Sequence, residues 1–354
     1  MPWIASELHQ LEKHLRARFP KVRECYERSE MTLAEVAKVL PNLPKEVSFV
    51  VCGSLARREF CRGGDLDWYL LVDGKADAGH RELEKSVRKA LPKAGDGKLF
   101  KNPNPTGAFG ALVFSHELIH CVGGSADTNA NLTRRLLLLL ESTEVPAGNP
   151  LSPRTAVMRA ILERYFGQQA TFGPERFFPR FLLNDIVRLW RTIAVDYAAK
   201  LDERGPKGWA LRNTKLRFSR KLLFVAGLLL AYECNLFEQD GSQEAAQKGL
   251  GDLEQSLSLL RLTPLEMLAK AALQLKLPKA TVRQVVKTYS EFLAILDEDG
   301  KRTKLDNLDY EHAGKDPLFQ QVRGAGEKFQ AALNELFLKS GSPLAELTLK
   351  YGVF

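Results

Sequence analysis

The residue types with the most chemistry to offer lie in one short stretch, GSLARREFCRGGDLD, residues 53 to 67. Asp65 and Asp67 open a run, DLDWYLLVDG, whose apolar and aromatic residues predict a strand. In a strand, residues i and i+2 share a face, so the two carboxylates would project together, roughly 7 Å apart at their Cα atoms. Paired carboxylate oxygens suit a hard divalent cation, Mg²⁺ or Mn²⁺, and such a site can activate an attacking oxygen while neutralising phosphate charge. The preceding run VSFVVCG predicts a second strand that ends at Gly53-Ser54. There the glycine would allow close backbone approach, and the serine could bond a phosphate oxygen where a helix starts.

These residues together resemble the signature of the DNA polymerase β superfamily of nucleotidyltransferases. The likeness is greatest to the N-terminal catalytic domain of bacterial PII uridylyltransferases and related signal-transduction nucleotidyltransferases. Their pattern, G-[GS]-x-[GA]-R-x-E followed by [SG]-D-x-D, is met in register by Gly53, Ser54, Ala56, Arg57, Glu59, Gly64, Asp65 and Asp67. A second element, KGWALRN (207 to 213), resembles the K-x-G-x-G-G-L-R-D element of the uridylyltransferases' helical portion, with Leu211 and Arg212 retained. The resemblance spans residues 3 to about 235. It implies Mg²⁺-dependent transfer of a nucleoside monophosphate from an NTP to an acceptor hydroxyl, with Asp65 and Asp67 holding metal and Gly53, Ser54, Arg57 and Arg212 contacting the nucleotide. Arg57 could instead serve only as the partner of Glu59. The implied acceptor is a regulatory protein; RNA or a small molecule are the alternatives, as is a nucleotide sensor without catalysis. The family's third carboxylate lies on a later strand, but residues 97 to 116 contain no acid; Glu117 and Asp127 are the nearest replacements, and the position stays unassigned.

A competing pattern follows at His116-Glu117-Leu118-Ile119-His120, which matches H-E-x-x-H, the zinc-binding helix of metallopeptidases. The segment directly follows a predicted strand, is stopped by Gly123-Gly124, and has only Glu141 or Glu144 to offer as a third ligand, so coincidence is the expectation. Between Arg204 and Lys221 there are seven basic residues and no acid, which suits a triphosphate near a helix start or, more plainly, a solvated helix face. Asn184, Arg188 and Arg191 form a polar stripe that is either solvated or turned to the cleft.

The elements that must position these groups are legible from periodicity. Two helices span residues 3 to 40 with a break near Pro20; the two strands follow, then a helix over 80 to 91, a Gly/Pro/Asn-rich loop from 95 to 105, and a strand at ALVF. From about Asn131 onward the pattern predicts helices throughout, punctuated at 146 to 153 and 205 to 208, with a polar linker at 241 to 256. The fold class is α+β: a helical lead (1–44), a small polymerase-β-like domain of mixed sheet and helices (45–150), and an all-helical domain (151–354) closing over the nucleotide.

Composition sets the outer bounds. The 354 residues are 45% hydrophobic and 27% charged, as expected of a folded globular protein rather than a disordered or collagenous one. A formal charge of 51 − 43 = +8 favours an anionic partner without naming one. Five scattered cysteines without a C-x-x-C pair suggest a reducing compartment. The longest apolar run, Leu222 to Tyr232, is about half the ~20 residues that span a bilayer. With a charged, helix-periodic N-terminus, the expectation is a cytoplasmic protein that keeps off membranes.

Overall fold

The computed structural model describes residues 2–94, 109–149, 151–169, 178–204, 208–236, 253–339 and 341–352. Helices α1 (Glu7–Leu15) and α2 (Pro20–Val39) lead, with Pro20 at the first position of α2, where a missing N–H costs nothing. Next come β1 (Val47–Cys52), the single turn α3 (Gly53–Ala56), β2 (Asp67–Val72), α4 (Gly79–Ala90), β3 (Leu112–Phe114), α5 (Ser115–His120), α6 (Asn129–Leu140) and β4 (Ser142–Val145). The four strands form one sheet in the order β3-β2-β1-β4. β1 runs antiparallel to β2 and β4, whereas β2 and β3 are parallel and are joined by the crossover containing α4.

Both faces of the sheet are buried, so its central strands read as near-continuous apolar runs. Val47, Phe49, Val51, Trp68, Leu70 and Val72 point to one side, against Leu33 and Val36 of α2 and Val87 of α4. Val50, Cys52, Tyr69 and Leu71 point to the other side and join the core of the helical region. Asp67 has the parity of Tyr69 and Leu71, so the pleat turns it toward the helices.

The expectation of helix throughout from Asn131 needs one correction. α6 ends at Leu140, and Ser142–Val145 is a strand paired with β1 through Val51↔Thr143 and Phe49↔Val145. Four residues are too few to show a period of two beside a run of five leucines, and the sheet rather than local propensity specifies them. The loop expected at 95–105 lies almost wholly outside the described residues, as does most of the 241–256 stretch, whose last residues begin helix α11 (253–259).

Beyond β4 the described chain is helical: α7 (Pro153–Gln169), α8 (Arg180–Arg204), α9 (Trp209–Lys215), α10 (Lys221–Leu236), α11, α12 (Pro264–Gln274), α13 (Lys279–Asp297), α14 (Asp299–Asn307), α15 (Tyr310–Ala313), α16 (Pro317–Asn334) and α17 (Pro343–Leu347). α10 carries the longest apolar run and is buried from Leu222 to Cys234 apart from Phe224, as expected. Its Gly227 lets Ile186 of α8 press in, since a Cβ there would stand 2.7 Å from Ile186 Cγ2. A π-helical turn, Leu216–Arg220, links α9 to α10. Its Phe218 stacks on Phe292 of α13, ring centroids 4.7 Å apart, and this seats the turn beside the sheet. Among the described residues no helix is long and apolar enough to cross a membrane.

Candidate active site

The turn from β1 into α3 brings the backbone against Asp67. Gly53 has φ +70°, and a Cβ on it would lie 2.7 Å from Asp67 Oδ2, so only glycine fits both the conformation and the approach. Asp67 opens β2 opposite Cys52. Asp65 lies two residues ahead of the strand, in an irregular segment, and is exposed. The pair therefore does not ride on one regular strand as the spacing implied, yet both residues line the same cleft with Gly53, Ser54 and Gly64. Burial pushes the Asp67 carboxyl up to about 6; Glu141 and Asp65 add to the rise, and Arg220 and Lys215 oppose it.

The helical side of the cleft supplies cations. Lys215 at the end of α9, Ser219 and Arg220 of the π turn, and Arg302 of α14 line it, above a floor that includes Phe292, Leu293 and Leu296 of α13. Lys215 has no ion pair within 4 Å among the described residues, and its half-buried amine is pulled below the usual lysine range by burial and by Arg302 and Arg220. Arg302 donates to the carbonyl oxygen of Arg62 at 3.3 Å, tying α14 to the loop that carries Asp65.

Along the inner wall of the cleft runs a chain of paired charges, three of the four buried. The Tyr289 hydroxyl donates to Glu59 Oε1 at 2.6 Å, and Arg57 Nε donates to Glu59 Oε2 at 2.8 Å. Arg57 Nη1 also donates to Glu141 Oε2, and Arg220 Nη1 to Glu141 Oε1 at 3.1 Å. Burial opposes the charge on Glu141, but Arg220 and Arg57 together hold its carboxyl below the usual range. Burial pushes Glu59 up despite Arg57 and Tyr289. The Arg57 guanidinium is thus committed to two carboxylates, although its side chain still borders the cleft.

Glu141, the residue between α6 and β4, is a buried carboxylate that adds to the rise at Asp67. Neither replacement considered for a third acid lies in the cleft. Glu117 is exposed on α5, and Asp127 accepts from Arg135 at 3.0 and 2.8 Å and from Gly123 N at 3.0 Å. Oxygens of Asp65, Asp67 and Glu141 do not all lie within 4.8 Å of one another. Arg212 is half-buried on α9 and is not among the residues lining the cleft; Lys215, one turn later, is. Lys207 falls outside the described residues, and Asn184, Arg188 and Arg191 are exposed away from the cleft.

The H-E-x-x-H segment forms the one-and-a-half-turn α5 directly after β3. His116 and His120 are exposed with ring centroids 4.9 Å apart, and among the described residues no third His, Cys, Asp or Glu joins them at ligand distance. A larger cavity, about 700 Å³, runs along β4 past Arg58, Glu144, Arg154 and Glu266, and neither cleft aspartate reaches it. The cleft at Asp67 measures only about 70 Å³ and is lined by both aspartates.

No protein-family model matches the chain, and no curated protein matches it at a significant level.

Proposed function

We propose that the chain is a Mg²⁺-dependent nucleotidyltransferase of the kind its motif resembles, moving a nucleoside monophosphate from an NTP to an acceptor hydroxyl and releasing pyrophosphate. The supporting observation is that opposite charges with no ion pair among the described residues line one small cleft: Asp65 and Asp67 on the sheet side, Lys215 and Arg302 on the helical side. Two hard oxygen donors beside a glycine pressed to Asp67 fit a divalent cation, which would offset the burial, and the added charge of Glu141 and Asp65, that hold Asp67 up to about 6. Mg²⁺, or Mn²⁺, held by Asp65 and Asp67, would neutralise charge on the α-phosphate and favour the attacking form of the acceptor oxygen. Gly53 and Ser54 would face the phosphate chain, and Lys215 with Arg302 would stabilise the charge that collects on pyrophosphate as the Pα–O bond breaks.

A cleft of about 70 Å³ holds about two waters. Nucleotide entry therefore requires the Lys215–Arg220 segment and α14 to draw back from β2. Arg302, joined to the Asp65 loop by a single hydrogen bond among the described residues, is the cheapest contact to release.

A second reading has its own observation. Glu141, the nearest candidate for a third acid, is saturated by Arg57 and Arg220, which suits a protein that binds NTP without turning it over. Incubation with each α-labelled NTP and Mg²⁺, alone and with cell lysate, separates the two. Labelled protein, RNA or small molecule together with pyrophosphate identifies both reaction and acceptor class, a regulatory protein being the one the resemblance favours. NTP binding without pyrophosphate release selects the sensor, and absence of both overturns the proposal.

A further inference from the structure

Cys25 of α2 and Cys61, in the loop leading to Asp65, lie with their sulfurs 3.8 Å apart. Both are free and almost wholly buried, at 0% and 3% exposure, yet Cys61 also lines the cleft. The backbone around Cys61 is pinned on both sides. Phe60 N donates to Ser29 Oγ of α2 at 3.0 Å, and Arg62 N donates to Asp297 Oδ1 of α13 at 2.9 Å. The two sulfurs are thus held in contact by the fold rather than by chance rotamers.

Asp297 approaches both sulfurs closely enough to complete a three-ligand metal group. Its oxygens are already taken, however, by Lys21 at 3.2 Å, by both outer nitrogens of Arg28 and by Arg62 N. Cations crowd the carboxylate, and a metal ion there would have to displace them. The thiol pair is left as the reactive feature.

We infer that Cys25 and Cys61 are an oxidation site, forming a disulfide with a small peroxide and thereby displacing the loop that carries Asp65. Cys61 sulfur attacks the peroxide O–O bond, giving a sulfenic acid and water; Cys25 sulfur then displaces the second oxygen as water. Two thiols are oxidised, and one hydrogen peroxide is reduced to two waters. Cys61 borders the cleft, and hydrogen peroxide is small enough to meet it there. Closing the sulfurs from 3.8 Å to about 2.0 Å draws Cys61 toward α2 and away from the Leu293 carbonyl it now contacts at 3.7 Å. The hydrogen bond to Cys25 and burial both keep Cys61 as a thiol, so the reaction quickens as pH rises. The chemical step stands by itself; its effect on nucleotide binding rests on the function proposed above.

The full chain is treated with hydrogen peroxide at pH 8.5 and mapped by non-reducing peptide mass spectrometry. Hydrogen exchange over residues 60 to 68 and Mg–ATP affinity are measured before and after. A Cys25–Cys61 crosslink, altered exchange, and affinity weakened at least tenfold and restored by dithiothreitol are expected, with Cys25→Ser and Cys25→Ala forming no crosslink. Oxidation of half-buried Cys121 without the crosslink overturns the inference, as does a crosslink that leaves exchange over 60–68 unchanged. One zinc per chain that is lost in Cys25→Ser also overturns it, in favour of a metal site. If the reduced protein binds no nucleotide, the proposed function fails, and crosslink with exchange still decides the thiol pair.

Discussion

Two groups of charges sit side by side at the junction of the sheet and the helices, and they are built in opposite ways. In the Glu59–Arg57–Glu141–Arg220 chain every carboxylate has a cationic partner, three of the four residues are buried, and Tyr289 closes the remaining oxygen. In the cleft, Asp67 is held up chiefly by burial, with Glu141 and Asp65 adding to the rise, and Lys215 faces two arginines with no ion pair of its own among the described residues. Paired charges can be retained for the fold. Unpaired charges of both signs, held a few residues away, are strained in the absence of a ligand and are what a cation with a polyphosphate would relieve.

Substitution should separate the two groups. The largest effect is expected in the unpaired group: Asp65→Asn or Asp67→Asn should lower nucleotidyl transfer about 10³-fold or more, above 4 kcal/mol of transition-state stabilisation, with circular dichroism unchanged. Steady-state pyrophosphate release checks this, and near-normal turnover in both variants would remove the aspartates from the reaction. The paired group should fail in stability instead. Glu141→Gln leaves Arg220 without its carboxylate and Arg57 with Glu59 alone, and should cost about 3–5 kcal/mol in urea unfolding. A loss below about 1 kcal/mol, coupled to lost activity, would move Glu141 into the catalytic group.

Within the cleft, the cations can be ranked. Lys215→Ala should weaken Mg–NTP binding by about 1.5–3 kcal/mol, the range of a hydrogen bond to a charged group, whereas Arg212→Ala should change it by less than about twofold. Calorimetric titration of both variants decides this. The reverse order would restore the role that the KGWALRN resemblance gives Arg212.

The same contrast marks what the sequence discloses. Gly53, Ser54, Asp65 and Asp67 are legible because they are local: one turn and one strand entrance bring them together, and the close approach at Gly53 is one that its residue type permits. The breaks at Pro20 and Gly53 and the strands β1 and β2 are legible for the same reason. Lys215 sits within a run of basic residues, so type alone could not single it out from Arg212. Arg302 meets the Asp65 loop from 240 positions away, and Tyr289 meets Glu59 from 230 away. Glu141 was hidden at the end of five leucines; its only signal was an acid directly before the β-branched pattern of Ser142–Val145. Long-range packing of α9, α13 and α14 onto the sheet fixes these contacts, and no local period encodes it.

The smallest effect concerns the strain itself. Asp67 binds its proton more tightly in the folded protein, with its carboxyl pushed up to about 6, than in the unfolded chain, where it titrates near 3.8. The folded state therefore holds more protons across that window, and metal-free stability falls as pH rises from about 4 to about 6 and stays lowered above it. Asparagine carries no charge at any of these pH values. Asp67→Asn should thus make the metal-free protein more stable than wild type at pH 7.5, by about 1–2 kcal/mol once solvent screening is allowed for, and equal to it at pH 4. Saturating Mg²⁺ with NTP should reverse the order at pH 7.5 by stabilising only the wild type. Urea unfolding at the two pH values, with and without ligand, reads all of this. An Asp67→Asn protein that is less stable than wild type at pH 7.5 without metal would show that the carboxylate is satisfied within the fold, and would place Asp67 with the paired group rather than against it.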